Sequence, residues 1–117
     1  MYGLHIDQSV LESLQEFMGE EYPALLETYL ADSEERLRLL RSAIHDADPQ
    51  ALGQAAHSFK GSCSNMGARD LAELCRQLET SARDGDLQHG ASLLRQIEKE
   101  LSVVRVLFRA ERRRCST

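Results

Sequence analysis

A chain of 117 residues, 42% hydrophobic and 28% charged, can fill one compact core and is too short for two. Its formal charge of −5 argues against a nucleic-acid backbone as partner, and no apolar run has the form of a signal peptide or the length of a membrane span. The cysteines Cys63, Cys75 and Cys115 are odd in number and lack C-x-x-C spacing, so a cytoplasmic protein with reduced thiols is expected.

Helical periodicity runs almost throughout, in a composition rich in Ala, Leu, Glu, Arg and Gln that favours helix. Asp7 is placed to cap a short helix over about 7–17, with Val10, Leu11, Leu14 and Phe17 on one side. After "MGEEYP", Pro23 suits the first turn of a long helix over about 23–45. Its apolar positions are Leu26, Leu30, Leu37, Leu40 and Ile44, with Ser33 in the one gap. Asp48 and Pro49 supply a cap and first residue for a helix over about 49–66, which Gly67 can end in a left-handed conformation. A fourth helix over about 69–83 puts Leu71, Leu74, Cys75, Leu78 and Ala82 on one face, before the break at "DGD". The last, about 87–112, repeats Leu87, Leu94, Leu101 and Phe108 with Ile97 and Val104 between them. That seam could serve a dimeric coiled coil, but one such helix among several of similar length fits its own bundle better. The expected fold is all-α: an antiparallel four-helix bundle with a short additional N-terminal helix, in a single domain spanning 1–117.

The stretch "AAHSFKGSCSNMG" departs from what folding alone asks of a helix. At about 100° per residue, Leu52, Ala55, Ala56, Phe59, Cys63 and Met66 gather into a core stripe, and His57 falls about 140° from Leu52, facing solvent. Gly53, Gly61 and Ser64 border it with almost no side chain, and Lys60 stands one turn later. Each interior glycine costs about 0.5–1 kcal/mol relative to alanine, so their presence on a solvent face marks a surface cleared for close approach. A neutral imidazole is a nucleophile, and Lys60 can balance the charge that a phosphoryl group would bring. With no general base or metal cluster beside it, such a histidine would rely on a partner for Mg²⁺ and the catalytic groups.

At these residues the chain resembles the histidine-containing phosphotransfer (HPt) domains of two-component phosphorelays. The motif of histidine, two variable residues, lysine, glycine and a small residue stands as "HSFKGSCSNMG", and "LAELCRQLE", "DGDL" and "MGEEYPALLETYLADSEERL" also look like the family. The resemblance covers nearly the whole chain and implies a stand-alone phosphocarrier without enzymatic turnover. It implies His57 as phosphoacceptor, Lys60 as charge-compensating cation, and Gly53, Gly61 and Ser64 as clearance for docking. Partners would be receiver domains of hybrid histidine kinases and of a response regulator, with Mg²⁺ on the receiver and no cofactor here. Where family members commonly orient the imidazole with a glutamine, this chain has Glu79 at the matching position and Gln77 two residues earlier. A carboxylate accepting from Nδ1–H would leave Nε2 to attack. Histidine-kinase dimerisation domains share a histidine on a bundle but carry an acidic residue after it, where this chain has Ser58.

The remaining candidates are plainer. His5, His45 and His89 stand alone in the sequence, near helix ends or turns, and are read as surface or capping residues with no metal-site spacing. Cys63 and Cys75 are read as packing residues and Cys115 as part of a frayed tail. Tyr2, Tyr22 and Tyr29 form no evident stacking platform. Arg109, Arg112, Arg113 and Arg114 suit the C-terminal end of the last helix. An RNA-binding tail would instead show steep salt dependence. The expected module is a monomer that contacts neither nucleic acid nor membrane. The main rival function is a non-catalytic helical adaptor in which His57 is incidental.

Overall fold

The structure, a computed structural model, describes residues 5–115; Tyr2 and the last two residues of the tail lie outside them. Five α-helices follow in order: α1 (Gln8–Met18), α2 (Tyr22–His45), α3 (Pro49–Asn65), α4 (Arg69–Arg83) and α5 (Leu87–Cys115). A single 3₁₀ turn, Gly19–Glu21, fills the "GEE" break between α1 and α2. There is no strand among the described residues. Helices α2 to α5 form the four-helix bundle, with their most extensive contact between α3 and α4. No helix is long and apolar enough to cross a membrane.

Local chemistry sets the boundaries. The Asp7 and Asp48 carboxylates accept from the backbone N–H groups of Ser9 and Ala51, both at 3.0 Å, satisfying donors that the first helical turn leaves free. The α3–α4 corner is a Schellman turn: Ala68 N–H donates to Cys63 C=O at 2.9 Å and Gly67 N–H to Ser64 C=O at 3.1 Å. Gly67 sits there at φ +74°, and a Cβ on it would come within 3.0 Å of Val10 Cβ and 3.1 Å of the Asp7 carbonyl. Glycine is therefore required twice, once for the backbone and once for the seat of α1, which is further held by Asp7 N–H donating to Gly67 C=O at 2.7 Å.

The α2–α3 corner uses the same pair of bonds, from Asp48 N–H to Ala43 C=O at 3.0 Å and Ala47 N–H to Ile44 C=O at 3.1 Å. Here, however, an alanine occupies the left-handed position, at φ 52°. That conformation costs an L-residue about 1–2 kcal/mol, of which glycine's extra freedom when unfolded returns about half. Ala47→Gly is thus expected to stabilise the fold by about 0.5–1 kcal/mol, seen as a Tm a few degrees higher in calorimetry.

The core follows the expected stripes with local exceptions. Leu26, Leu37 and Leu40 of α2 are buried together with Tyr29, Ser33 and Ala43, whereas Leu30 and Ile44 pack only partly. Ser33 is tolerated at zero exposure because its hydroxyl donates to Tyr29 C=O at 2.7 Å. Tyr29 is a core residue, its ring 5.2 Å from that of Phe108 and its hydroxyl 3.2 Å from Cys63 Sγ. Burial pushes the Tyr29 hydroxyl well above its ordinary value, and the hydrogen bond with Cys63, followed by burial, does the same to the Cys75 thiol, leaving neither group acidic at neutral pH.

Three expectations are corrected. Phe17 does not join the apolar side of α1; it is 87% exposed. The packed stripe runs through Leu11, Leu14 and Met18, and Phe17 lies about 120° from Leu11 around the helix. Cys115 is not in a frayed tail: it ends α5 and packs partly against the core. The last turn is secured by Arg114, which donates to Glu111 at 2.8 Å, while the buried Glu111 also accepts from the Tyr22 hydroxyl at 2.8 Å. Finally, His5 is not solitary. Its Nδ1 lies 2.6 Å from Glu100 Oε2 on α5 and 3.9 Å from Asp70 Oδ2 on α4, a meeting of three distant segments with no sequence spacing to announce it. One polar atom from each of the three side chains lies within 4.8 Å of the other two, and the contacts tie the segment ahead of α1 to the bundle.

The Glu100 hydrogen bond raises the His5 pKa above its ordinary 6.5. The contact therefore contributes fully below that value and is lost as pH rises through the raised one. Comparing thermal unfolding of the wild type with His5→Gln should show a wider gap in Tm near about pH 6 than near about pH 9.

Candidate functional site

The α3 surface is built outward from its buried face. Leu52, Ala56, Phe59 and Cys63 have no exposure at all, which fixes the rotation of the helix and turns His57 away from the core. The His57 side chain is 68% exposed. Packing of α3 against α4 brings Glu79 alongside, only 18% exposed, with Oε2 2.9 Å from His57 Nδ1 and Oε1 2.8 Å from Lys60 Nζ.

One carboxylate thus holds the histidine and the lysine together. The hydrogen bond from the Lys60 ammonium, joined by the weaker contribution of His57, outweighs the opposing effect of burial and keeps the Glu79 pKa below its ordinary value. An ionised carboxylate only accepts hydrogen bonds, so the proton at this contact belongs to Nδ1. Nε2 is left unprotonated in the neutral ring, with its lone pair free, and has no hydrogen-bond partner among the described residues. Gln77 does not take this place; its amide donates to Glu73 on its own helix at 3.1 Å.

The small residues differ in what they leave open. A Cβ on Gly61 would meet nothing within 4 Å, whereas one on Gly53 would sit 3.6 Å from Ala82 Cβ, in ordinary contact with α4. Gly61 is thus bare toward solvent alone, and Gly53 also lines an open depression beside His57 with Pro49, Gln54, Ala82 and Arg83. Ser64 is exposed on the other side, in a second depression with Lys60, Gly67, Val10 of α1, Arg69 and Arg76.

Sequence spacing did not reveal Arg36. From α2, it is held by Asp32 through Nε at 2.6 Å and donates through a terminal nitrogen to the hydroxyl of Ser58, the residue after His57. The pair with Asp32 is local, four residues apart on α2, whereas the reach to α3 depends on the bundle.

The Hpt domain family matches residues 24–106. The chain belongs to the Hpt domain family. Its structure superposes on the crystal structure of histidine-containing phosphotransfer protein B (HptB) from Pseudomonas aeruginosa PAO1 with a TM-score of 0.94 and 54% sequence identity, covering 96% of this chain and 97% of that one. It is also 30% identical over 82 residues to the phosphorelay protein LuxU of Vibrio vulnificus, in strains YJ016 and CMCP6, covering 69% of this chain and 71% of each relative. This Hpt domain therefore has a histidine phosphotransfer role in phosphorelays, as a phosphocarrier and not a catalytic enzyme.

Proposed function

We propose that His57 is the phosphoacceptor, attacking through Nε2. The observation that carries this reading is the pairing of an open, 68% exposed imidazole with a carboxylate 2.9 Å from its other nitrogen, which leaves a nucleophilic lone pair facing a cleared surface. Lys60 compensates the charge of the phosphoryl group. Glu79 orients the ring and fixes its tautomer, while Gly53, Gly61 and Ser64 let a receiver domain approach, with Gly67 closing the helix that presents them.

The single Hpt module works as a monomer in the cytoplasm and contacts neither nucleic acid nor membrane. It accepts the phosphoryl group from a receiver aspartate of a hybrid histidine kinase and passes it to a receiver aspartate of a response regulator. Mg²⁺ and the groups that stabilise in-line transfer belong to the receiver; this chain supplies nucleophile, cation and fit. The test is ³¹P NMR after incubation with a phosphorylated receiver domain and Mg²⁺. A phosphoramidate resonance supports the reading, and none across a panel of receivers overturns it.

A further inference from the structure

We infer that Glu79 keeps the Nδ1 proton in place throughout the phosphotransfer cycle, so that phosphoryl groups enter and leave His57 without any accompanying proton transfer. This rests on His57 being the phosphoacceptor. In the resting state the Glu79 carboxylate accepts from Nδ1–H at 2.9 Å and from Lys60 at 2.8 Å. When Nε2 attacks an acyl phosphate, an N–P bond forms, the O–P bond to the receiver aspartate breaks, and the aspartate leaves as carboxylate. The ring then carries a formal positive charge, with its proton still on Nδ1.

Donation runs the same path backwards. The N–P bond breaks, its electron pair returns to Nε2, and the ring leaves as a neutral imidazole. If the phosphorylated ring lost its Nδ1 proton to solvent, the departing group would be an imidazolate, a far worse leaving group. A neutral amide at position 79 could still orient the ring, but only a carboxylate also opposes loss of that proton by charge, since hydrogen bonds to an ionised acceptor are roughly twice as strong as neutral ones.

The other charged groups around the ring do not replace it. Lys60 on α3 and Arg83 on α4 are cations that disfavour a protonated ring. Arg36 on α2, beside Ser58, is already paired with Asp32. Glu79 is the acidic group hydrogen-bonded to the imidazole. Its sharing with Lys60 adds a second consequence: a phosphoryl group on Nε2 competes for that ammonium, and any Lys60 contact given up by Glu79 strengthens its hold on Nδ1–H.

The experiment loads the protein chemically with potassium phosphoramidate and follows the ³¹P shift of phosphohistidine against pH, in wild type, Glu79→Gln and Lys60→Met. The midpoint, where the phosphorylated ring loses its proton, is expected to fall by about one pH unit in Glu79→Gln, for about a tenfold loss of protonated ring on the alkaline side. Lys60→Met should move it the opposite way. Donation to a receiver should lose its alkaline limb in step with the Glu79→Gln midpoint. Coincident midpoints for wild type and Glu79→Gln overturn the inference, even if Glu79→Gln is uniformly slower. Absence of any phosphohistidine signal in the wild type overturns the phosphoacceptor reading beneath it, a distinct outcome.

Discussion

His57→Gln is expected to abolish phosphoryl acceptance outright, with no phosphohistidine resonance and no flow between receiver domains, while the fold stays intact. The two halves of this expectation come from different parts of the structure. The nucleophile is lost because an amide has no comparable lone pair, and no neighbour can replace it: Cys63, on the same helix, is completely buried, and His5 is engaged with Glu100 on α5. The fold survives because His57 is exposed and Glu79 keeps its ion pair with Lys60 at 2.8 Å. Exposed substitutions of this kind fall within about 0.5 kcal/mol, so circular dichroism and Tm should match the wild type. Receiver binding, measured by calorimetry, should persist with the variant. A variant that still passed phosphoryl groups would mean that His57 is incidental, as the adaptor reading has it.

What could be read in advance followed from whether the signal was local. The Asp48–Pro49 cap, the glycine that ends α3 and the stripe from Leu52 to Met66 are each contained within one helix or turn, and spacing alone displays them. The exposure of His57 came from the same arithmetic. Glu79 was harder, because its relation to His57 exists only once α4 is laid against α3; the choice between it and Gln77 turned on helix rotation, which the burial of Leu71, Cys75 and Leu78 sets. His5 and Arg36 were invisible for the same reason in stronger form. Their partners, Glu100 and Ser58, are 95 and 22 residues away, and no periodicity links them. Phe17 misled because an apolar residue at the margin of a stripe counts toward it in sequence but finds nothing opposite when the helix is short and peripheral. Ala47 shows a local rule set aside, since its turn forms with the less suitable residue in the left-handed position.

Gly61 allows the cost of function to be separated from the needs of the fold. Nothing lies within 4 Å of where a Cβ would stand there, and its helix continues to Asn65, so the fold alone gives no reason for glycine. Gly61→Ala should therefore raise stability by about 0.5–1 kcal/mol, the usual helix-interior difference. Gly61→Gln should also fold at least as well as the wild type, because glutamine is a good helix former and projects into open space. Its effect on transfer should run the other way. One turn after His57, its side chain occupies the surface where a receiver must bring its phosphorylated aspartate into line with Nε2, and a misplacement of about 1 Å at such a junction can cost about a hundredfold in rate. The expected result is a Tm unchanged or higher, with transfer from a phosphorylated receiver slowed at least about tenfold, roughly 1.4 kcal/mol. Chemical loading by phosphoramidate, a reagent small enough to pass the new side chain, should proceed at close to the wild-type rate. That contrast assigns the glycine to docking, since damage to the imidazole or to its contact with Glu79 would slow both reactions. Equal slowing of both would place Gly61 in the chemistry of the site, and unchanged transfer would mean that the receiver approaches over Gly53 instead.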